Sequence, residues 1–173
     1  MQMPSVSEWK IAPTEEIKAF FLEASAETYA ANMGRFTIAQ LPGSKMLCHH
    51  SERGGRAFSY MDCDFSSGRR SFGQTVISVA GIAVWGMQYC GYWEGEDERV
   101  IPFLKRALMA TYSAREFVGG RGPRIFRETE EGLLYCNYPE SGDFTNFKGH
   151  EEIVVQSNLS KFLFRHKYNG LLL

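Results

Sequence analysis

The sequence predicts an α+β domain in which one curved antiparallel β-sheet, with meander-like strand order, packs against two main α-helices. Strand-period alternation in residues 76–93, helical periodicity at two places, and turn signals between short β-rich runs indicate this fold class. The chain has 173 residues, of which 44% are hydrophobic. This length suits a single domain over residues 1–173, with residues 1–12 as an N-terminal arm whose Trp9 docks on the body.

The sheet is organised around a strand over residues 82–92. Its large side chains alternate between the two faces, with Trp85 and Tyr89 on the same face. Because both faces carry large side chains, we expect a central strand that is covered on both sides. Ala80-Gly81 predicts a hairpin turn, so the strand should pair antiparallel with residues 72–79.

Two segments have the periodicity of amphipathic helices. The first is predicted to start with Thr14 as its N-cap residue and to end at Gly34 in the left-handed conformation. The second follows the acidic residues 94–98 and buries a stripe that begins at Phe103, with Pro102 tolerated in the first turn.

The remaining strands are predicted at residues 45–51, 56–65, 124–128, 133–138, 151–156 and 161–167. Residues 139–142 predict a turn, and residues 168–173 predict an apolar tail. We find no internal repeat in the sequence.

Composition argues against several functional classes. A net charge of −1 disfavours a nucleic-acid-binding surface, which needs a local excess of Lys and Arg. No signal sequence is recognisable, and no apolar stretch reaches the length of a membrane span. The cysteines Cys48, Cys63, Cys90 and Cys136 are widely spaced within predicted strands, which favours buried free thiols. We therefore expect a cytoplasmic protein that binds neither nucleic acid nor membrane.

Several motifs occur together in a familiar order. They are Thr28-Tyr29-Ala30, Tyr60-x-Asp62-x-x-Phe65, Phe72-Gly73, Val84-Trp85-x-Met87-x-Tyr89-x-Gly91, Arg121-Gly122-Pro123, and a run from Gly142-Asp143-Phe144 to Glu151-Glu152-Ile153. In this order and spacing they resemble the bacterial domain-of-unknown-function family 5680, from Phe20 to Leu172. The resemblance implies a stand-alone member without the helix-turn-helix segment of some relatives. It implies a sensing or ligand-binding module in those fused forms, and no established activity.

Metal binding is one candidate chemistry. His49 and His50 follow Cys48, and Asp62 and Asp64 lie on the neighbouring predicted strand. Adjacent strand residues point to opposite faces, so at most one of the two histidines can join a carboxylate. We assign no metal ligand and no cofactor.

Acid–base catalysis is a second candidate chemistry. Its candidate carboxylates are Asp62, Asp143, Glu151 and Glu152. A catalytic carboxylate would need an apolar pocket that raises its pKa. We favour structural roles instead, such as a turn at Asp143 and a buried ion pair that joins a carboxylate to Arg121. No Ser-His-acid or Cys-His set can be argued from the sequence, and we assign no catalytic residue.

Residues 117–123 form the most glycine-rich segment of the chain. Their backbone N–H groups and Arg121 suit either an anion site or a rigid turn between the second helix and the next strand. No Lys-Ser/Thr pair follows, so the segment is not a P-loop.

These observations favour a non-enzymatic module that binds a small molecule or a protein partner in an aromatic cleft. The candidate ligand-binding residues are Tyr60, Asp62, Trp85, Tyr89, Arg121 and Glu151. The alternative is an enzyme that uses Asp62 or Glu151 as a general base in an aromatic-lined pocket. A homodimer formed through an exposed edge strand or aromatic patch is a third hypothesis.

Overall fold

A computed structural model describes residues 11–94, 97–128 and 130–173, so Trp9 lies outside the described residues. Within these ranges the chain forms two helices and eight strands. They are α1 Thr14–Glu27, β1 Ser44–Arg53, β2 Arg56–Ser67, β3 Arg70–Val79, β4 Ile82–Trp93, α2 Val100–Ser113, β5 Ile125–Glu128, β6 Leu133–Asp143, β7 Asn146–Val155 and β8 Asn158–Leu172. The strands form one antiparallel sheet in the order β1-β2-β3-β4-β8-β7-β6-β5. The predicted α+β class is confirmed.

Strand β4 lies in the middle of this sheet, as its alternation predicts. Ala80 and Gly81 have φ angles of 50° and 81°, which suit the two-residue turn of a β3–β4 hairpin. Trp85 on the inner face is fully buried, whereas Gln88 and Cys90 on the outer face are exposed. The expectation that both faces are covered is therefore wrong, because the helices pack against the inner face alone.

The chain folds as two copies of an αββββ unit, the first from α1 to β4 and the second from α2 to β8. Each unit is a four-stranded meander, and the last strands of the two meanders pair with each other. Tyr89 of β4 lies directly opposite Tyr168 of β8, at the junction between the units.

Equivalent strand positions in the two units carry matching residues. The matched pairs are Tyr60 and Tyr135, Gly73 and Gly149, Ile77 and Ile153, Val79 and Val155, Tyr89 and Tyr168, and Gly91 and Gly170. The sequence analysis missed this repeat because the identities are scattered over alternate strand positions, where only one face of the sheet is constrained.

The two helices bury equivalent faces against the inner side of the sheet. The buried positions follow the same i, i+3, i+4, i+7 spacing in both, which is Ile17, Phe20, Phe21 and Ala24 in α1 and Val100, Phe103, Leu104 and Ala107 in α2. All eight side chains belong to one hydrophobic core. Each large one contributes roughly 1.5–3 kcal/mol by burial.

Helix α1 is shorter than predicted. Pro13 occupies the N-cap position and Thr14 is the first helical residue, so Thr14 is not the N-cap. The helix ends at Glu27, where both the hydroxyl and the N–H of Thr28 donate to the carbonyl of Ala24. The hydroxyl bond lets the backbone leave the helix early. Asn32, with φ of 60°, adopts the left-handed conformation expected at Gly34.

The second unit also differs from prediction at two places. Residues 139–142 do not turn, because β6 continues through them with a register shift between Pro139 and Ser141. The turn follows Asp143, whose carboxylate accepts hydrogen bonds from the N–H and hydroxyl of Thr145. Residues 168–172 are not a tail but the end of β8, paired with β4.

All four cysteines are free and lie in strands, as predicted. Cys63 and Cys136 are buried, but Cys48 is half-buried and Cys90 is exposed. The expectation of buried thiols is therefore correct for two of them only. In the described ranges, neither helix has both the length and the apolar character that a membrane span needs.

Candidate ligand-binding cavity

A cavity of about 240 Å³ lies against the strands of the first unit, between the inner face of the sheet and the two helices, and residues of the second unit complete its walls. Apolar and aromatic side chains form its walls, among them Phe21, Met87, Trp93, Leu104 and Phe164. Polar groups from four strands, β2, β3, β4 and β8, and from the segment after α2 form its inner end. A hollow with apolar walls and a few converging polar groups is typical of a small-molecule site.

Asp62 lies at the inner end of the cavity and is only 3% exposed. Its Oδ1 accepts a hydrogen bond of 2.7 Å from the hydroxyl of Thr75, which lies directly opposite on β3. The hydroxyl of Tyr89 lies 3.1 Å and 3.2 Å from the two carboxylate oxygens. Burial raises the pKa of Asp62, and these two hydroxyl donors oppose that shift.

Tyr89 reaches Asp62 because Gly73 lies between them on β3. A Cβ atom at Gly73 would lie 2.5 Å from the Tyr89 ring. Because glycine has no side chain, the ring can lie flat across the strand and bring its hydroxyl to the carboxylate. The Phe72-Gly73 motif therefore has a packing role in the cavity.

Arg121 also lines the cavity, and it forms an ion pair with the fully buried Glu151. The Nε and Nη2 atoms of Arg121 donate to Oε1 of Glu151 at 2.8 Å and 2.5 Å, and Tyr135 donates to Oε2 at 2.7 Å. Burial alone would lower the pKa of Arg121, but the charge of Glu151 outweighs it and holds that pKa well above its usual value. This ion pair supports the turn interpretation of residues 117–123 over the anion site.

His166 completes the inner end of the cavity. Its ring stacks on Tyr89 with 5.9 Å between centroids, and its Nε2 lies 2.8 Å from the hydroxyl of Ser71. Its Nδ1 has no hydrogen-bond partner among the described residues and lies 3.8 Å from Oε1 of Glu151. Burial lowers the pKa of His166 to about 4, although Glu151 opposes this shift. His166 is therefore neutral at physiological pH.

A serine-hydrolase triad has a serine next to a histidine and the histidine next to an acid. The contacts of Ser71 with His166 and of His166 with Glu151 have this arrangement. The 3.8 Å from His166 to Glu151 exceeds a hydrogen bond, however, and the carboxylate already accepts bonds from Arg121 and Tyr135. The acid therefore does not orient the imidazole as a triad requires. We interpret the Ser71–His166 contact as a polar pair of the cavity wall.

The mouth of the cavity carries charges of both signs. Arg35 forms an ion pair of 3.0 Å with Asp64 and lies 5.2 Å from the centroid of the Tyr29 ring. Lys45 donates to the hydroxyl of Ser66 at 2.6 Å. These groups are partly exposed, so each contact contributes little to stability, typically 0–1 kcal/mol.

Four of the six residues predicted for ligand binding line this cavity, namely Tyr60, Asp62, Tyr89 and Arg121. Trp85 does not, because its ring is fully buried and stacks on Phe144 with 5.1 Å between centroids. Glu151 is also fully buried and meets the cavity only through Arg121.

Sequence reasoning missed His166, Ser71, Arg35 and Lys45 as cavity residues. His166 was assigned to a strand paired with residues 151–156 alone, and only the further pairing of that strand with β4 places it beside Tyr89. One signal was available, since Phe164, His166 and Tyr168 alternate in the same way as Trp85, Met87 and Tyr89. The rim residues come from a loop and a strand start, where periodicity carries no signal.

The metal candidates do not converge on one point. His49 lies 3.5 Å and 3.3 Å from carboxylate oxygens of Glu23 and Glu27 of α1. His50 is exposed on the opposite face of β1. Asp62 faces the cavity instead and lies opposite Leu47 in the β1–β2 pairing.

A family model described as a domain of unknown function, DUF5680, matches residues 64–170. The chain belongs to the DUF5680 family. The matched part of this DUF5680 chain contains Tyr89, Arg121 and His166, whereas Tyr60 and Asp62 precede it. A search of curated proteins and a search of solved structures each found no match.

Proposed function

We propose that this domain is a non-enzymatic module that binds a small organic molecule in the cavity of the first unit. One observation carries the proposal: an aromatic-walled hollow of about 240 Å³ ends on three buried polar side chains, Asp62, Arg121 and His166. Burying a polar group is costly unless it is hydrogen-bonded, and Nδ1 of His166 has no hydrogen-bond partner among the described residues. Their convergence on one hollow supports a site that orients a ligand.

The test is a thermal-shift screen of a metabolite library, followed by calorimetry on the compounds that raise the melting temperature. A ligand present at 100 times its Kd stabilises a protein by about 2.7 kcal/mol, which such a screen detects easily. Leu104→Trp, which fills the cavity from α2, should abolish the shift. Ile125→Trp at an exposed edge-strand position is the matched control. Binding that survives Leu104→Trp in a folded protein would overturn the proposal.

An enzyme is the second candidate function, with Asp62 as general base. Its supporting observation is that burial raises the pKa of a carboxylate that lines the cavity. Glu151, the other proposed base, is fully buried and held by Arg121 and Tyr135. Mass spectrometry of a bound compound after prolonged incubation separates the two functions, because a binding module returns it unchanged.

A cytoplasmic location is part of the proposal. The four free cysteines support it, because free thiols persist in reducing compartments.

A further inference from the structure

The two units of the repeat place different residues at one equivalent position. Asp62 pairs with Thr75 in the first unit, as Asn137 pairs with Glu151 in the second. Tyr168 donates to Oδ1 of Asn137 at 2.6 Å, just as Tyr89 donates to Asp62. The second unit therefore contains a counterpart of the polar end of the cavity.

In the second unit this position is occupied by the chain itself. The Nδ2 of Asn137 donates to the carbonyls of Val118 and Gly122 at 2.9 Å and 2.7 Å, and the N–H of Gly122 donates to Tyr135. Gly119 lies against the Tyr168 ring, where a Cβ atom would come within 2.6 Å. The segment from Val118 to Gly122 thus fills the hollow with backbone groups that match its donors and acceptors.

In the first unit the equivalent hollow is the open cavity. The amide of Asn137 can donate to carbonyl oxygens, but an ionised Asp62 accepts only. The second unit has Asn137 at this position and binds carbonyl oxygens, which are acceptors. The first unit has Asp62 there, so the group that binds in its hollow should carry N–H donors.

The charges around the cavity support the same conclusion. Arg35 is paired with Asp64, and Arg121 with Glu151, but no ion pair among the described residues includes Asp62. The groups that act on its charge are Asp64 on its own strand and Arg121 from the segment after α2, besides its hydroxyl donors on β3 and β4. Tyr60 and Phe164 place aromatic rings along the cavity, and such rings attract organic cations; the Tyr89 ring already has the Arg121 guanidinium 5.3 Å from its centroid.

We propose that the ligand of this cavity is a small organic cation, a protonated amine or guanidinium on an apolar body, whose N–H groups donate to Asp62. This inference rests on the proposed function and names its ligand class. The apolar body lies against Phe21, Met87 and Leu104. Arg121 remains neutralised by Glu151.

The experiment is calorimetry with a panel of arylalkyl ammonium and guanidinium compounds, together with the isosteric alcohols and carboxylates. For 2-phenylethylammonium we expect at least tenfold tighter binding than for 2-phenylethanol or 3-phenylpropionate. Affinity for the cation should rise with pH as Asp62 ionises, because only the ionised carboxylate pairs with a cation. Asp62→Asn should lower the affinity for the cation at least tenfold and leave the affinity for the alcohol unchanged.

Glu52→Gln is the matched control, since it removes a carboxylate at an exposed position on β1 outside the cavity lining, and it should leave the cation affinity unchanged. If an alcohol or carboxylate binds as tightly as its ammonium counterpart, or Asp62→Asn leaves the cation affinity unchanged, the ligand class is wrong and the cavity remains a binding site. If no compound of the panel binds in the cavity, this inference is overturned, whereas the proposed function is decided by the metabolite screen and Leu104→Trp. Circular dichroism confirms that each variant is folded.

Discussion

Asp62 is the residue at which function and stability oppose each other. Burial raises its pKa, so the folded chain holds the proton more tightly than the unfolded chain does. Stability therefore falls as pH rises from the usual value of 3.8 through the raised pKa. A buried carboxylate that lowers the stability of the fold in this way is expected at a ligand-binding site.

Asp62→Asn should stabilise the domain at pH 7.5 by about 0.5–2 kcal/mol, because the neutral amide removes the buried charge and still accepts from Thr75. Urea unfolding at pH 7.5 and pH 4 measures the effect. The gain should shrink as pH falls towards 3.8, because the folded wild-type chain takes up the Asp62 proton above that pH. Glu52→Gln, at an exposed position on β1, should give no gain. An Asp62→Asn variant less stable than wild type at pH 7.5 would contradict this account.

His166 should make the domain sensitive to mild acid. Its pKa is lowered from 6.5 to about 4 in the folded chain, so the unfolded chain takes up a proton first as pH falls. Stability is therefore present above pH 6.5 and is lost progressively between pH 6.5 and pH 4. The full loss corresponds to about 3 kcal/mol.

His166→Gln should remove this part of the acid sensitivity, so its unfolding free energy should change less than that of wild type between pH 7 and pH 4.5. His50→Gln, at an exposed position on β1, is the control and should behave as wild type. An unchanged pH profile in His166→Gln would show that His166 is protonated in the folded protein.

At the scale of elements, the cavity depends on one glycine that lets a ring cross a strand. In Gly73→Ala the new Cβ would lie 2.5 Å from the Tyr89 ring, so the ring must move away from Asp62. We expect a loss of about 1–3 kcal/mol in stability and weaker ligand binding. Gly86→Ala is the matched control, because its Cβ would meet only a carbonyl oxygen at 3.8 Å. Equal losses in both variants would indicate a general strand effect.

The elements themselves were largely predictable because alternation marks which strand face is buried. Residues 82–92 carry that signal strongly, and β4 lies where it predicts. The helix end at Glu27 was not predictable, because a hydroxyl of Thr28 and not a glycine ends α1. Likewise, Pro139 lies inside β6 because a register shift accommodates it, which sequence patterns do not reveal.

The candidate site was predictable where its residues share one hairpin and unpredictable where distant strands meet. Tyr60, Asp62 and Tyr89 were identified because they lie on consecutive strands with clear alternation. His166 was not, since only the β4–β8 pairing brings it to Tyr89. Trp85 was assigned to the cleft because periodicity gives its face but not its depth.

At the scale of the molecule, the two units share one strand arrangement but differ in what fills it. The segment from Val118 to Gly122 fills the second unit, and the equivalent place in the first unit is the open cavity. Arg121 lies on the segment that fills the second unit and also lines the cavity of the first. Arg121, held by Glu151 of the same unit, therefore forms part of the cavity wall of the other unit. The homodimer stays a prediction, with β1 and β5 as the edge strands of the sheet.

The most direct test of the central claim is an amide chemical-shift map recorded while the ¹⁵N-labelled domain is titrated with a compound that stabilises it. We predict that the largest changes fall on residues 60–64, 71–75, 87–89 and 164–166, around the cavity of the first unit, and that Tyr135 and Asn137 change little. Changes concentrated on the exposed face at Gln88 and Cys90, or on Asn137 of the second unit, would contradict the claim.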